Sequence, residues 1–518
     1  MLRTRLSLVA SFISATFVFS LLPANSASIA GTLCTKLNST KTISNIKYTC
    51  VKSGKKLVWN KGALIHTKVS QTPTPTPTSS TEPTPEPTSK TSEIKVNDFC
   101  SSADQGAEKT ITTGKVVCKK DNYQTFRWLP VEDISKNADP RTSAQRFEIS
   151  PANAFQPIQV CNQKTLLMRD QTAGFPRSAN LIPTLGSVRS VTIFTQYTDL
   201  PADDDQVRVW RDQQIPTAEK YFKIMSYGKL DFKVDLVEKI YMIQKSVLSY
   251  NLDTAHGTPM KSNADTFGLI RDAVTAADGD IDFSKYDFIN VITPATTKIG
   301  FEGATGLDLT VDGKTFHQAT FGPIREYKDD PVKYAWLVHE TGHLMGLLHP
   351  YNVAGVRSKG HFAIPAWDLM GNAITFAPEF LAWNKYLLGW LDQSQINCLE
   401  ASKPSETISL ITPISDNTSG IKAAFVKISE TELLAIENRR NSEVNHVNRE
   451  DEGVFVYVVH QDIADNYGAV DPLWDKESVK SDMLLGTLKP GDSITYKNIS
   501  VTLKSSAVEG DFVAIKIT

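Results

Sequence analysis

The densest set of chemically capable residues is DDPVKYAWLVHETGHLMGLLHP, residues 329–350. On a helix His339 and His343 stand four apart on one face, so their imidazole nitrogens can converge on one ion. Glu340 lies between them, placed to hold a water rather than the metal. Gly346 can take the positive φ that ends a helix, which turns the chain back and lets His349 bring a third imidazole. Three neutral nitrogen ligands with an open fourth position describe one catalytic Zn²⁺; a structural zinc would be closed by four protein ligands. Of nine His in the chain, three fall in this span. The plain alternative, buried core histidines or a non-catalytic metal clip, gives Glu340 no purpose. Downstream, AWDLMGN places Met370 among Pro365, Gly371 and Asn372, a tight turn that fits a Met-turn beneath the metal. A single Met otherwise fills core space.

Elements must hold these groups in place. Asp330 can cap a helix with Pro331 at its first position, and apolar spacing then continues through Leu344. Upstream, residues 187–199, 229–243 and 286–294 read as strands. Two stretches between them, DDQVRVWRDQQIPTAEKYFKIMSYG and DTFGLIRDAVTAADG, carry helical spacing. Past residue 400 the pattern becomes period-2 strands such as IKAAFVKI, TELLAIENR, GVFVYVVH and DFVAIKIT, an all-β tail.

The rest of the chain concerns export and attachment. Arg3 and Arg5 precede an apolar run from Leu6 to Leu22 and then small residues, the layout of a secretory signal peptide over 1–27, with no membrane span left after cleavage. The protein is expected to be secreted and extracellular. Six Cys form an even set, readable as three bridges in an oxidising compartment. Two pairs, Cys34/Cys50 and Cys100/Cys118, fall in short units of one design, each ending in an apolar-x-Trp (Trp59, Trp128). These units, 28–66 and 94–131, read as small β-modules each stapled by a disulfide. They flank a Pro/Thr-rich spacer, 67–93, that could reach roughly 70 Å. Binding of a cell-wall or surface glycan through residues 28–131 is one reading; the other has both Trp filling small cores. Cys161 and Cys398 are expected to bridge the ends of the catalytic region, and the alternative is a latency switch with the Cys161 thiolate on the open zinc position. With 55 Lys+Arg against 57 Asp+Glu, the formal charge is -2, which gives no electrostatic reason to bind nucleic acid.

Several stretches, in order, resemble the immune inhibitor A family of secreted bacterial metallopeptidases, within the wider metzincin-like group. They are EKYFKIMSYGKLDF (219–232), IDFSKYDF (281–288), HETGHLMGLLH, WDLMG (367–371), APEFLAWNKYLLGW (377–390), ENR (437–439) and GVFVYVV (453–459). The resemblance implies an α+β fold: a metzincin-like catalytic domain (132–395) with a mixed sheet and zinc helix, followed by an all-β domain (396–518) and preceded by the two β repeats. It also implies a zinc endopeptidase acting on protein or peptide, with Glu340 as general base and acid. The family often has Asp where His349 stands, so the third ligand follows the broader metzincin pattern. Members also often carry a loop suited to Ca²⁺ after the Tyr-Asp, whereas here Tyr286-Asp287 runs straight into FINVITP. Asp203, Asp204, Asp205 and the Asp278 to Asp282 cluster offer oxygen ligands for Ca²⁺ or are solvated acidic turns. Tyr351 and His361 are candidate oxyanion partners. The rival function is a non-catalytic surface-binding protein whose repeats do the essential work.

Overall fold

The computed structural model describes residues 34–37, 39–43, 46–53, 56–59, 63–64, 100–111, 114–120, 126–131, 139–166, 170–202, 204–252, 263–294, 303–323, 335–350, 367–371, 379–417, 419–447, 449, 451–465, 467–473 and 486–518. The expected signal peptide and spacer lie outside the described residues, as do Asp203, Asp330, Pro331, Tyr351, His361, Pro365 and Asn372. The chain divides into two compact units, one up to Lys90 and one from Thr91.

In the first unit β1 (Thr40–Ile43), β2 (Ile46–Ser53), β3 (Lys56–Trp59) and β4 (Ala63–Leu64) form a small antiparallel sheet closed by the Cys34–Cys50 disulfide. The second unit opens with a like meander, β5 (Glu108–Ile111), β6 (Gly114–Lys120) and β7 (Phe126–Pro130), closed by Cys100–Cys118. The shared design extends to register, with Cys50 opposite Trp59 and Cys118 opposite Trp128. Trp128 packs with Val116 and Cys118 in the core of its module, and Trp59 is half-buried. For Trp128 the core-filling reading holds.

The main body is a mixed α/β structure in which sheets dominate. A five-stranded sheet runs β11 (Gly303–Val311), β12 (Lys314–Pro323), β10 (Phe288–Thr293), β8 (Gly186–Tyr197), β9 (Leu230–Ile243); all neighbours are parallel except the edge strand β11. β10 is buried along its whole length, as its unbroken apolar run requires of a central parallel strand. Helices α1 (Asp204–Val209), α2 (Ile215–Met225) and α4 (Trp336–Leu344) share a core with one face of this sheet, through Val209, Phe222, Phe288 and Leu337 among others. On the opposite face α3 (Thr266–Ala277) packs with Val191, Ile289 and Val291. The expected strands at 187–199, 229–243 and 286–294 correspond to β8, β9 and β10. The continuous helix expected from residue 204 is instead divided by a π-helical turn, Trp210–Gln214. Pro216 has no N–H to close a bond back to Asp212, so the ladder widens just before it.

After α5 (Ala382–Leu387) come two more sheets. The inner one orders β13 (Ile396–Glu400), β15 (Ala423–Lys427), β16 (Glu432–Arg439), β17 (Gly453–His460) and β18 (Val470–Pro472), with β19 (Thr487–Leu488) also beside β17. The outer one orders β14 (Ser405–Ile411), β22 (Asp511–Ile517), β21 (Ile499–Ser506) and β20 (Ser493–Tyr496). The inner sheet is buried on both faces, and the period-2 geometry of a strand sorts its residues. In β16, Leu434 and Ile436 meet Val501, Leu503 and Val513 of the outer sheet. Leu433 and Ala435 point the other way, into a core with Leu348, Trp367 and Trp383 beyond the end of α4.

A strap joins the start of this body to the two C-terminal sheets. Arg141 pairs with Glu452 and Arg146 with Glu509, the Ser150 N–H donates to Ile408 O, and the Gln156 N–H donates to Cys398 O. The strap ends at the Cys161–Cys398 disulfide, whose sulfurs are buried. That bond overturns the latency alternative, because a sulfur joined to Cys398 has no thiolate to offer a metal. Among the described residues no helix is long and apolar enough to cross a membrane.

Candidate metal centre

Every residue of α4 is buried, so what its sequence shows is less an amphipathic stripe than a helix surrounded by protein. His339 and His343, one turn apart, present rings with centroids 4.8 Å apart. The helix stops where expected: Gly346 has φ 93°, and a Cβ there would lie 2.6 Å from Leu181 Cδ1 and 3.2 Å from the Asp170 carbonyl oxygen. Arg177 caps the end, donating from Nη2 to Met345 O at 2.9 Å and to Ile182 O at 3.1 Å. The Thr172 N–H donates to Gly346 O at 3.0 Å. The reversal brings His349 back to the other two rings.

The three imidazoles meet nitrogen to nitrogen. His343 Nε2 lies 3.2 Å from His339 Nε2 and 2.8 Å from His349 Nε2. The outer nitrogens fix the tautomers. His339 Nδ1 lies 2.8 Å from Leu369 O and His343 Nδ1 2.8 Å from Leu347 O; a carbonyl only accepts, so both Nδ1 atoms carry the proton and both Nε2 lone pairs face inward. Inward-facing Nε2 atoms at such distances are placed to share one cation. Tetrahedral Zn²⁺ with Zn–N of about 2.0–2.1 Å sets neighbouring nitrogens about 3.3 Å apart; the His343–His339 separation matches this and the His343–His349 separation is shorter. The residues therefore fit the ion. Burial, with the nearby His349 second, holds His339 down to about 3, and burial likewise holds His343 far below the usual imidazole range. Burial thus favours the neutral form of both rings, the form in which an imidazole can bind a metal.

Glu340 is buried at the same level, and a Cβ on Gly303, the first residue of edge strand β11, would stand 3.7 Å from its Oε2. Met370 lies against α4 from below. Gly342 makes this possible, since a Cβ there would collide with Met370 Sδ and come within 3.3 Å of Phe380. The structure thus brings together His339, His343, His349, Glu340, Gly346 and Met370.

Beneath Met370 lies a buried polar frame that sequence reasoning did not identify as one. Asp368 accepts from the Met370 and Leu381 N–H groups and from Asn384 Nδ2, at 2.8, 3.1 and 2.7 Å. Burial pushes its carboxyl up to about 6 against those bonds. Arg439 donates to Trp367 O at 2.7 Å and to Glu437 Oε1 at 2.5 Å, while Glu437 Oε2 accepts from the Ala382 N–H and the Tyr457 hydroxyl. Lys385 Nζ pairs with Glu379 at 2.6 Å, both side chains fully buried. Arg439 and Glu437 project from the face of β16 that also carries Leu433 and Ala435, so the WDLMG, APEFLAWNK and ENR stretches are one network seen in three pieces of sequence.

No protein-family model matches the chain, and no curated protein matches it. Two solved structures from Akkermansia muciniphila align with it: wild-type OgpA, at 13% identity, covering 67% of this chain and 96% of that one, and a catalytically inactive OgpA in complex with an O-glycopeptide (glycodrosocin) substrate, at 12% identity with the same coverage. The TM-score is 0.26 in both cases. So loose a superposition leaves fold and activity to be argued from this chain's own residues.

One residue of the centre had no local signal at all. Asp465, in the β17–β18 connection, accepts the His349 backbone N–H at 2.6 Å and lies 3.1 and 3.2 Å from His349 Nδ1. In the acidic turn considered for Ca²⁺, Asp280 pairs with Lys239 and Asp282 with Lys285 and Ser284, while the nearby Asp312 accepts the Phe283 N–H. The side chains of Asp204 and Asp205 lie outside the described residues.

Proposed function

We propose that the chain is a zinc-dependent endopeptidase of metzincin-like design that hydrolyses peptide bonds in proteins outside the cytoplasm. The carrying observation is the convergence of three imidazole Nε2 atoms, two of them from the helix that also carries the buried Glu340. Three ligands among the described residues match a catalytic seat better than a closed structural one. His339, His343 and His349 would hold the zinc, which would supply Lewis acidity and lower the pKa of a water there.

The protein does the rest. Glu340 takes the proton of the attacking water and returns it to the leaving amine. Its place beside the edge strand supports this role: β11 is paired only with β12 among the described residues, and the outer edge of such a strand can take up an extended peptide by main-chain hydrogen bonds. Three disulfides suit an oxidising compartment.

The test is Glu340→Gln measured beside wild type on one zinc-loaded preparation. The variant keeps its zinc and loses casein cleavage by about 10²- to 10⁴-fold, the usual worth of general base catalysis. Cleavage within tenfold of wild type would remove Glu340 from the mechanism.

A further inference from the structure

We infer that Asp465 is the positioning residue of the third metal ligand, so that the inner β-sheet, and not the zinc-motif segment alone, completes the metal seat. The inference rests on the zinc reading of the three histidines.

His339 and His343 are fixed by the helix that carries them and by main-chain carbonyls on their outer nitrogens. His349 stands beyond the helix end, in a segment without regular structure. Its support comes from Asp465, 116 residues further along the chain. One carboxylate grips it at two points, the backbone N–H and the ring Nδ1. The first bond sets where the main chain goes, and the second sets the rotation and tautomer of the ring, leaving Nε2 to face the other two. A carboxylate accepts only, so the Nδ1 proton stays on the ring and the Nε2 lone pair stays free. The negative charge does more than a carbonyl would: it raises the donor strength of the imidazole and offsets part of the ion's double charge, which three neutral ligands leave untouched. Both side chains are about four-fifths buried, at 22% and 19% exposure, which shields the contact from competing water. A surface ion pair of no consequence for the metal would need neither the backbone bond nor the alignment with the other two rings.

The experiment compares zinc affinity, by competition with a colorimetric zinc chelator, for wild type, Asp465→Ala and Asp465→Asn. The expected result is a 10- to 100-fold weaker affinity for Asp465→Ala, with Asp465→Asn between the two because its amide oxygen can still accept one bond. Co²⁺-loaded Asp465→Ala also shows altered visible absorption, since the third ligand is no longer held in place. Thermal unfolding of the metal-free proteins runs alongside; should Asp465→Ala fail to fold, the isosteric Asp465→Asn decides. A folded Asp465→Ala, or in its absence Asp465→Asn, that binds zinc within twofold of wild type overturns the inference while leaving the zinc reading intact. Wild type that fails to bind zinc overturns both.

Discussion

Replacing Gly346 with Ala should separate the geometry of the chain reversal from the chemistry of the metal. Two costs follow from the structure. At φ 93° an L-residue is strained, by about 1–2 kcal/mol. The new methyl would also sit 2.6 Å from Leu181 Cδ1 and 3.2 Å from the Asp170 carbonyl, and overpacking of this kind costs about 1–3 kcal/mol. Together they predict a loss of about 2–5 kcal/mol, or a urea midpoint lowered by about 1 M or more at ordinary slopes. The metal-free protein is the right sample, because bound zinc would mask the loss by mass action. A second variant partitions the two costs. Leu181→Ala removes the overlapping methyl, so the Gly346→Ala/Leu181→Ala pair should lose less than the sum of the singles by about the overpacking share, whereas the φ strain remains. Zinc affinity should fall with Gly346→Ala, since the turn that aims His349 must shift to relieve the contact. A metal-free Gly346→Ala protein within 0.5 kcal/mol of wild type would refute the claim that this turn needs glycine, and strict additivity of the pair would refute the overlap.

Two further outcomes test the buried charges. His339 and His343 are held below their unfolded value by burial, so their neutral forms suit the fold: the metal-free protein should lose stability as pH falls from about 6.5 toward the folded value of about 3. Asp368 works in the opposite sense, its raised carboxyl favouring the fold most at low pH and losing that benefit as pH rises through about 6; thermal melts of wild type, His339→Gln/His343→Gln and Asp368→Asn across this window should show the first slope vanish in one variant and the second in the other. For the Lys385–Glu379 pair, Lys385→Met alone leaves a buried carboxylate without its main partner and should cost about 3–5 kcal/mol, while Lys385→Met/Glu379→Leu should recover much of it; equal urea midpoints for the single and double variants would contradict that account.

What the sequence revealed and what it hid divide along physical lines. The candidate metal site was legible because helical periodicity and a glycine stop are local properties: His339, Glu340, His343, Gly346 and His349 lie within eleven residues. The β8, β9 and β10 strands and four strands of the C-terminal sheets were legible for the same reason. The β11–β12 hairpin was missed although its turn was marked, since Asp312-Gly313, both at positive φ, is the Asp-Gly pair that a two-residue hairpin favours. Gly342 looked like a neutral spacer, and only Met370 packed against the helix shows what a side chain there would strike. Asp465 and the Glu379, Lys385, Glu437 and Arg439 frame had no period to read, because their partners are assembled by the packing of separate sheets and not by neighbours along the chain.

The Cys161–Cys398 bridge spans 237 residues of chain, and His339, Glu340, His343, Gly346, His349 and Met370 all lie inside that span. A single backbone cut anywhere between the two cysteines therefore releases nothing: the fragments stay covalently joined, and a nicked molecule runs as one band until reductant is added. A molecule exposed to proteases would thus carry its wear without shedding its parts.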